Sequence, residues 1–389
     1  MMLRRILCLA GPVLAVGVTG CTDDPAACPD EAGIACRWAG LTDRDGFDGD
    51  GKPIAESRMY WSMDVEFSPD GTPWVIDWNN HRIRRVTAEG TFETVVGDDI
   101  PGDGPPDSGD LMGESPGDTV RLNHPTDMAV LDDGTLLFTA WHNHKIREVD
   151  PVTGMVHVSC GRGPGFGGDG MPQGAATRFN QPSHMQRGPD GSIFLVDQRN
   201  QRIRRIGPDG VLSTIAGTGM PGFSGDGGDP LMAQLAFEAG GNPEPSDGVA
   251  VGSDGRVYVS DSLNHRIRVI DLDANTIDTL AGTGSAGFSG DGGAATDAQL
   301  NTPRDLEIGP DGRLYFADTE NNRIRAIDLS SGTIETVAGS GRMGNAEPDG
   351  LGALEIEMER PFGVAFDAEG ALYVSDTYNS RVIRIPLAQ

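Results

Sequence analysis

An eight-residue run recurs six times along this chain, and that recurrence limits the fold more than any other feature. The runs are Asp77-Trp-Asn-Asn80-His81-Arg82-Ile83-Arg84, Ala140-Trp-His-Asn143-His144-Lys145-Ile146-Arg147 and Asp197-Gln-Arg-Asn200-Gln201-Arg202-Ile203-Arg204. Asp261-Ser-Leu-Asn264-His265-Arg266-Ile267-Arg268, Asp318-Thr-Glu-Asn321-Asn322-Arg323-Ile324-Arg325 and Asp376-Thr-Tyr-Asn379-Ser380-Arg381-Val382-Ile383 complete the set. From asparagine to asparagine (80, 143, 200, 264, 321, 379) the period is 57 to 64 residues. A repeat of this length settles the architecture before any local reading does.

Inside one period the order is constant. Pro303 to Ile308 is a short alternating run, and Gly309-Pro310-Asp311-Gly312 turns the chain into Leu314-Tyr-Phe-Ala317. The Asp318–Asn321 loop, the run Arg323 to Ile327 and the strand-like Thr333 to Ala338 follow, and a glycine-rich segment closes the unit. Four strand-length stretches joined by Gly, Asp and Asn turns, with no helical period between them, describe one blade of a β-propeller. The sequence therefore predicts an all-β, six-bladed β-propeller of four-stranded antiparallel blades.

The last repeat ends after its third strand, and the missing strand is found at the other end. Cys36-Arg37-Trp38-Ala39-Gly40 followed by Gly46-Phe-Asp-Gly-Asp-Gly51 matches Leu280-Ala-Gly282 followed by Gly287-Phe-Ser-Gly-Asp-Gly292. The N-terminal strand is expected to complete the last blade, which would remove two open sheet edges.

Residues 1–20 read as an export signal, with Arg4 and Arg5 ahead of a short apolar run that is too brief to span a bilayer. Val18-Thr19-Gly20-Cys21 resembles the bacterial lipobox, so Cys21 is the expected lipidation site. The expected location is a membrane-anchored lipoprotein facing the periplasm or the cell exterior, touching the membrane only through its lipid. Residues 21–36 form a polar tether in which Cys28 and Cys36 could pair, and residues 37–389 form the propeller. Cys160 is expected to be a buried thiol.

The net charge is −28, and −30 once residues 1–20, with their two arginines, are set aside. Such a surface repels phosphate backbones and excludes nucleic acid as an expected partner. It is compatible with cations, with basic partners, or with solubility alone.

These residues resemble the NHL-repeat family of β-propellers. The resemblance is carried by the Asp-x-x-Asn-x-Arg-Ile-Arg runs and by the Gly-Phe-Ser-Gly-Asp-Gly segments at Ala216 to Gly227 and Ala281 to Gly292. It covers residues 37–389 and implies the propeller fold. It does not choose among the family's RNA-binding, sensor, cell-surface and metal-dependent lyase members. The second repeat departs most, with Ala140 for the aspartate, Lys145 for the arginine and a long preceding loop, Pro101 to Asp118.

Two groups of residues are candidates for a role. Asp77, Asn80, Asn143, Asp197, Asn200, Asp261, Asn264, Asp318, Asn321, Asp376 and Asn379 are expected to hold loop backbone and to pair with the arginines, because all six repeats share the run. A ring of ligand-binding side chains is the alternative. The second group lies seven residues before each Asp-Gly turn, at the start of the first strand, and reads Asp64, Asp127, His184, Gly248, Asp305 and Gly363. Three carboxylates and an imidazole around one axis could hold Ca²⁺ or Zn²⁺; otherwise the aspartates bond local backbone. His81, His142, His144 and His265 are read as surface loop residues.

The expected function is a non-enzymatic binding or scaffold module for a protein, peptide or glycan, working through the face that gathers the long loops. The alternative is a metal-dependent lyase or lactone hydrolase using Asp64, Asp127, His184 and Asp305 in the channel.

Overall fold

The structure is a computed structural model that describes residues 28–98, 100–105, 113–174, 176–240, 244, 245 and 247–387. Cys21 and the export signal lie outside the described residues.

Six sheets stand around one axis. Blade 5 shows the pattern: Pro303–Ile308, Leu314–Asp318, Arg323–Asp328 and Thr333–Ala338 run antiparallel from the axis outward. Its first strand pairs Pro303 with Asp318 at one end and Ile308 with Leu314 at the other. Ile324 pairs with Ala338 at the same end as Pro303. The start of the first strand, the repeated loop and the exit of the fourth strand thus share one face, called the loop face below. The Asp-Gly turns mark the opposite face.

Blades 2 and 3 each carry a fifth, two-residue outer strand, Ser115–Pro116 and Met171–Pro172, so their edges are more fully paired than the repeat alone predicts. The last blade is completed by Cys36–Ala39, which pairs with Arg381–Pro386 and sets Arg37 opposite Ile383. Trp38 meets Tyr373 edge-on at 5.1 Å, and a Cys28–Cys36 disulfide ties the preceding segment to this strand.

Six apolar clusters fill the spaces between blades, one at each junction. Trp74, Ile76, Met128 and Phe138 join blades 1 and 2, while Val65, Val75, Tyr373 and Val382 join blades 1 and 6. The remaining clusters occupy the other four junctions in the same way. Alternation along each strand sends one face to each neighbour, so successive apolar side chains of a strand serve opposite junctions. Cys160 belongs to the blade 2–3 cluster, where burial pushes its thiol up to about 12 and leaves it inert.

Candidate functional site

The repeated run builds one device in every blade. Its aspartate ends the second strand, a three-residue 3₁₀ turn follows, and the residue after the asparagine takes a left-handed conformation with φ between 51° and 58°. The asparagine donates to a glycine carbonyl of the connection entering the blade: Asn80 to Gly46, Asn143 to Gly102, Asn200 to Gly165, Asn264 to Gly222, Asn321 to Gly287 and Asn379 to Gly344, all at 2.7–2.9 Å. Asp77, Asp197, Asp261, Asp318 and Asp376 each accept a backbone N–H at 2.7–2.8 Å.

The second arginine of the run is fully buried and bridges two carboxylates. Arg268 reaches Asp261 of its own run at 3.3 Å and Asp226 of the entering Gly-Asp-Gly segment at 2.5 Å. Arg84, Arg204 and Arg325 repeat this with Asp77 and Asp50, Asp197 and Asp169, and Asp318 and Asp291. The first arginine lies over the phenylalanine of the same segment, as in Arg266 on Phe223 at 3.8 Å. Blade 2, lacking the aspartate, directs both Lys145 and Arg147 to Asp103. Blade 6 has Ile383 where the second arginine would stand, and Arg381 binds Asp376 instead, at 2.8 Å. These residues clip each incoming connection to its blade.

The left-handed residue latches adjacent blades. His81 Nδ1 accepts from His124 N, His144 Nδ1 from Gln181 N and His265 Nδ1 from Thr302 N. Gln201, Asn322 and Ser380 do the same work in the other blades. The expectation that His81, His142, His144 and His265 are surface residues is corrected here. None is exposed: three are latches, and His142 packs against Trp141 and His124. All four are held below the usual histidine range, first by burial and then by neighbouring cations or imidazoles. The repeat offered a signal for this in Gln201 and Asn322, which stand where histidine stands elsewhere.

The channel residues converge. His184 Nε2 lies 2.5 Å from Asp305 Oδ1, and its Nδ1 lies 3.6 Å from Asp127 Oδ2. Burial opposes a charged imidazole here, but the carboxylates of Asp127 and Asp305 outweigh it and push His184 up to about 9. Burial also raises Asp64 and lifts Asp127 to about 6, despite His184. Asp127 and Asp305 accept the backbone N–H groups of Met185 and Val364 in the next blade. The ring is thus an ion-paired cluster that stitches blades together. Among the described residues, no three His, Cys, Asp or Glu side chains are grouped so that they could hold one metal ion. Gly248 and Gly363 are close-packing positions, where a Cβ would meet Asp305 Cα at 2.7 Å and Met63 O at 2.5 Å.

Two features of the loop face were not anticipated from sequence. The first is a wall of packed rings across blades 6, 1 and 2. Trp61 lies between Tyr378 at 4.3 Å and Trp78 at 5.6 Å, and Trp78 continues to His124 at 4.3 Å and Trp141 at 6.3 Å. A hydrogen bond joins the Nδ1 atoms of His124 and His142 at 2.8 Å. Burial and the neighbouring imidazoles hold His124 near 3, so the wall is uncharged at neutral pH. The second feature is a carboxylate clamp across the channel mouth. Glu244 binds Arg304 at 2.8 Å, Arg360 at 2.6 Å and the Tyr378 hydroxyl at 2.7 Å. Burial would raise Glu244, but these partners hold it down at about 2. Among the described residues, Arg304 Nε and Trp78 Nε1 are buried without a hydrogen-bond partner. The readable signal was Trp78 and Trp141, at a repeat position that elsewhere carries Gln198, Ser262, Thr319 and Thr377.

A family model for the teneurin NHL domain matches residues 42–271 and 281–360. The chain belongs to the NHL-repeat β-propeller family. This NHL propeller is 32% identical over 272 residues to the chloroplastic Protein SUPPRESSOR OF QUENCHING 1 of Arabidopsis thaliana, a match spanning 67% of this chain and 24% of that one. It is 28% identical over 296 residues to NHL repeat-containing protein 2 of Bos taurus, spanning 67% and 38%. The NHL propeller therefore accounts for well under half the length of these curated relatives. Among solved structures it resembles a structural-genomics protein of unknown function from Bacteroides thetaiotaomicron (TM-score 0.62, 16% identity, 90% of this chain and 74% of that one). It also resembles an auxiliary nutrient binding protein of the same organism (TM-score 0.61, 14% identity, 90% and 75%), and at these identities the likeness concerns the fold.

Proposed function

We propose that this chain is an envelope-anchored binding module whose ligand, a protein, peptide or glycan, docks on the loop face at the channel mouth. One observation carries the reading: the six-fold pattern is broken there by the Trp61–Tyr378–Trp78–His124 wall facing the Glu244 clamp. Elsewhere on this face the repeats use their polar side chains to hold one another. Trp61 stacks on Tyr378 and on Trp78, so it presents an edge that is fixed before a ligand arrives, which lowers the entropy cost of binding. The Cys28–Cys36 disulfide fits an oxidising compartment, and with it the export reading of residues 1–20.

Peptide and glycan arrays probed with the soluble chain test this reading. Three of the five tryptophans lie in the wall, so binding should also quench intrinsic fluorescence. Trp61→Ala should weaken any retained ligand at least tenfold while leaving the melting temperature within a few degrees. Retention that Trp61→Ala and Glu244→Ala do not alter would remove the channel mouth as the site.

A further inference from the structure

The opposite face carries a second feature that the binding reading does not use. A well of about 230 Å³ opens on the axis among the Asp-Gly turns, with the Asp64–Asp127–His184–Asp305 layer as its floor. Its wall is set two residues further along the first strands, by Glu66, Ala129, Gln186, Glu307 and Ala365, while the matching residue of blade 4, Ala250, is buried against blade 5. Long polar side chains alternate with alanines, and the alanines leave the space hollow. Phe67 and Phe366 line its apolar side.

Carboxyl groups outnumber cations in this well. Five carboxyl groups (Asp64, Glu66, Asp127, Asp305 and Glu307) share one cation, His184. Arg187 at the rim is paired with Asp132 at 2.6 Å. Burial and the neighbouring carboxylates raise Glu66, and they push Glu307 up to about 8. Gln186 donates to Glu307 at 2.6 Å. Asp64 is only 8% exposed and lines the cavity, yet among the described residues its one hydrogen-bonding neighbour is another carboxyl, Asp127. A buried carboxyl left this way marks a missing donor.

We propose that the well receives a primary ammonium group at the end of an aliphatic chain, either a lysine side chain or a free alkyl diamine. The carboxyls lie at two levels separated by two residues of strand, about 6.6 Å, so they line a shaft and do not converge on one point as a metal's ligands would. An ammonium offers three N–H donors to such a shaft, and its methylene stem can lie against Phe67 and Phe366. The volume falls below the roughly 300–1,000 Å³ of pockets for drug-sized ligands, which suits a group of side-chain size.

Calorimetric titration of the whole chain with 1,5-diaminopentane at pH 8.5 tests this, with 1,5-pentanediol as the uncharged control. One saturable site for the diamine and none for the diol is the expected result. Glu66→Gln and Glu307→Gln, which keep side-chain shape, should each weaken the diamine at least fivefold. Trp61→Ala on the other face should leave it unchanged, so this inference and the loop-face reading fail separately. Should either glutamine variant not fold, the diamine–diol comparison on the wild type still decides. Tighter binding of Nα-acetyl-lysine methylamide than of the diamine identifies a peptide lysine as the source, and the reverse order identifies a free amine. No saturable diamine binding at millimolar concentration, equal binding of the diol, or full retention in both glutamine variants overturns the proposal.

Discussion

A buried arginine between two carboxylates is the residue-scale unit of this protein, and its two pairs are not equal. Arg268 and Asp261 are both fully buried, whereas Asp226 keeps 41% of its side chain in solvent. Removing one partner of a buried pair strands the other charge, a loss of about 3–5 kcal/mol, while an exposed pair contributes about 0–1 kcal/mol. Arg268→Ala should therefore lower unfolding stability in urea by about 3 kcal/mol or more, and Asp226→Asn by no more than about 1 kcal/mol. Equal losses would show that the two pairs act as one. The latch histidines make a separate prediction about pH. His265 is held below its ordinary value, first by burial and then by Arg266, and only its neutral form accepts the Thr302 N–H. A depressed folded value means that its contribution is present above about pH 6.5, the unfolded value, and is lost as pH falls below it. Gln201 does the same work in blade 3 without titrating. His265→Gln should match the wild type at pH 7.5 and be the more stable of the two at pH 5, as read from paired urea curves.

Among the elements, Cys36–Ala39 has the largest consequence for its length. Four residues supply the outer strand of the last blade, and Arg37 fastens them further, donating from Nε to Glu347 at 2.9 Å and from its backbone N–H to Asp349 at 2.7 Å. Without this strand both blade 6 and the chain terminus would offer unpaired backbone. The disulfide closes a loop with a sequence separation of 8, and it joins the strand to the segment before it, not to another blade. A loop this short gives an entropic contribution of about 2–3 kcal/mol on the chain-entropy scale. The paired variant Cys28→Ser with Cys36→Ser should lose about that much in urea unfolding while keeping one cooperative transition. A broken or biphasic transition would mean that the disulfide itself closes the ring.

At the scale of the whole molecule, the sequence by itself determined the ring. The six runs, the Asp-Gly turns and the displaced N-terminal strand are local signals with a fixed period, and a period survives being read in one dimension. It also brought Asp64, Asp127, His184 and Asp305 to one axis, because all four hold the same place in the repeat. Only the tertiary structure decided what those residues do there. Neighbouring blades press together at Gly248 and Gly363, and their carboxylates meet His184 and the next blade's backbone. The wall from Tyr378 through Trp61 to His124 and the clamp from Glu244 to Arg360 join residues up to 317 positions apart, across blades that no repeat alignment sets side by side. Periodicity records what the blades share. A site is made where they differ, and the contact between unlike blades exists only once the ring has closed.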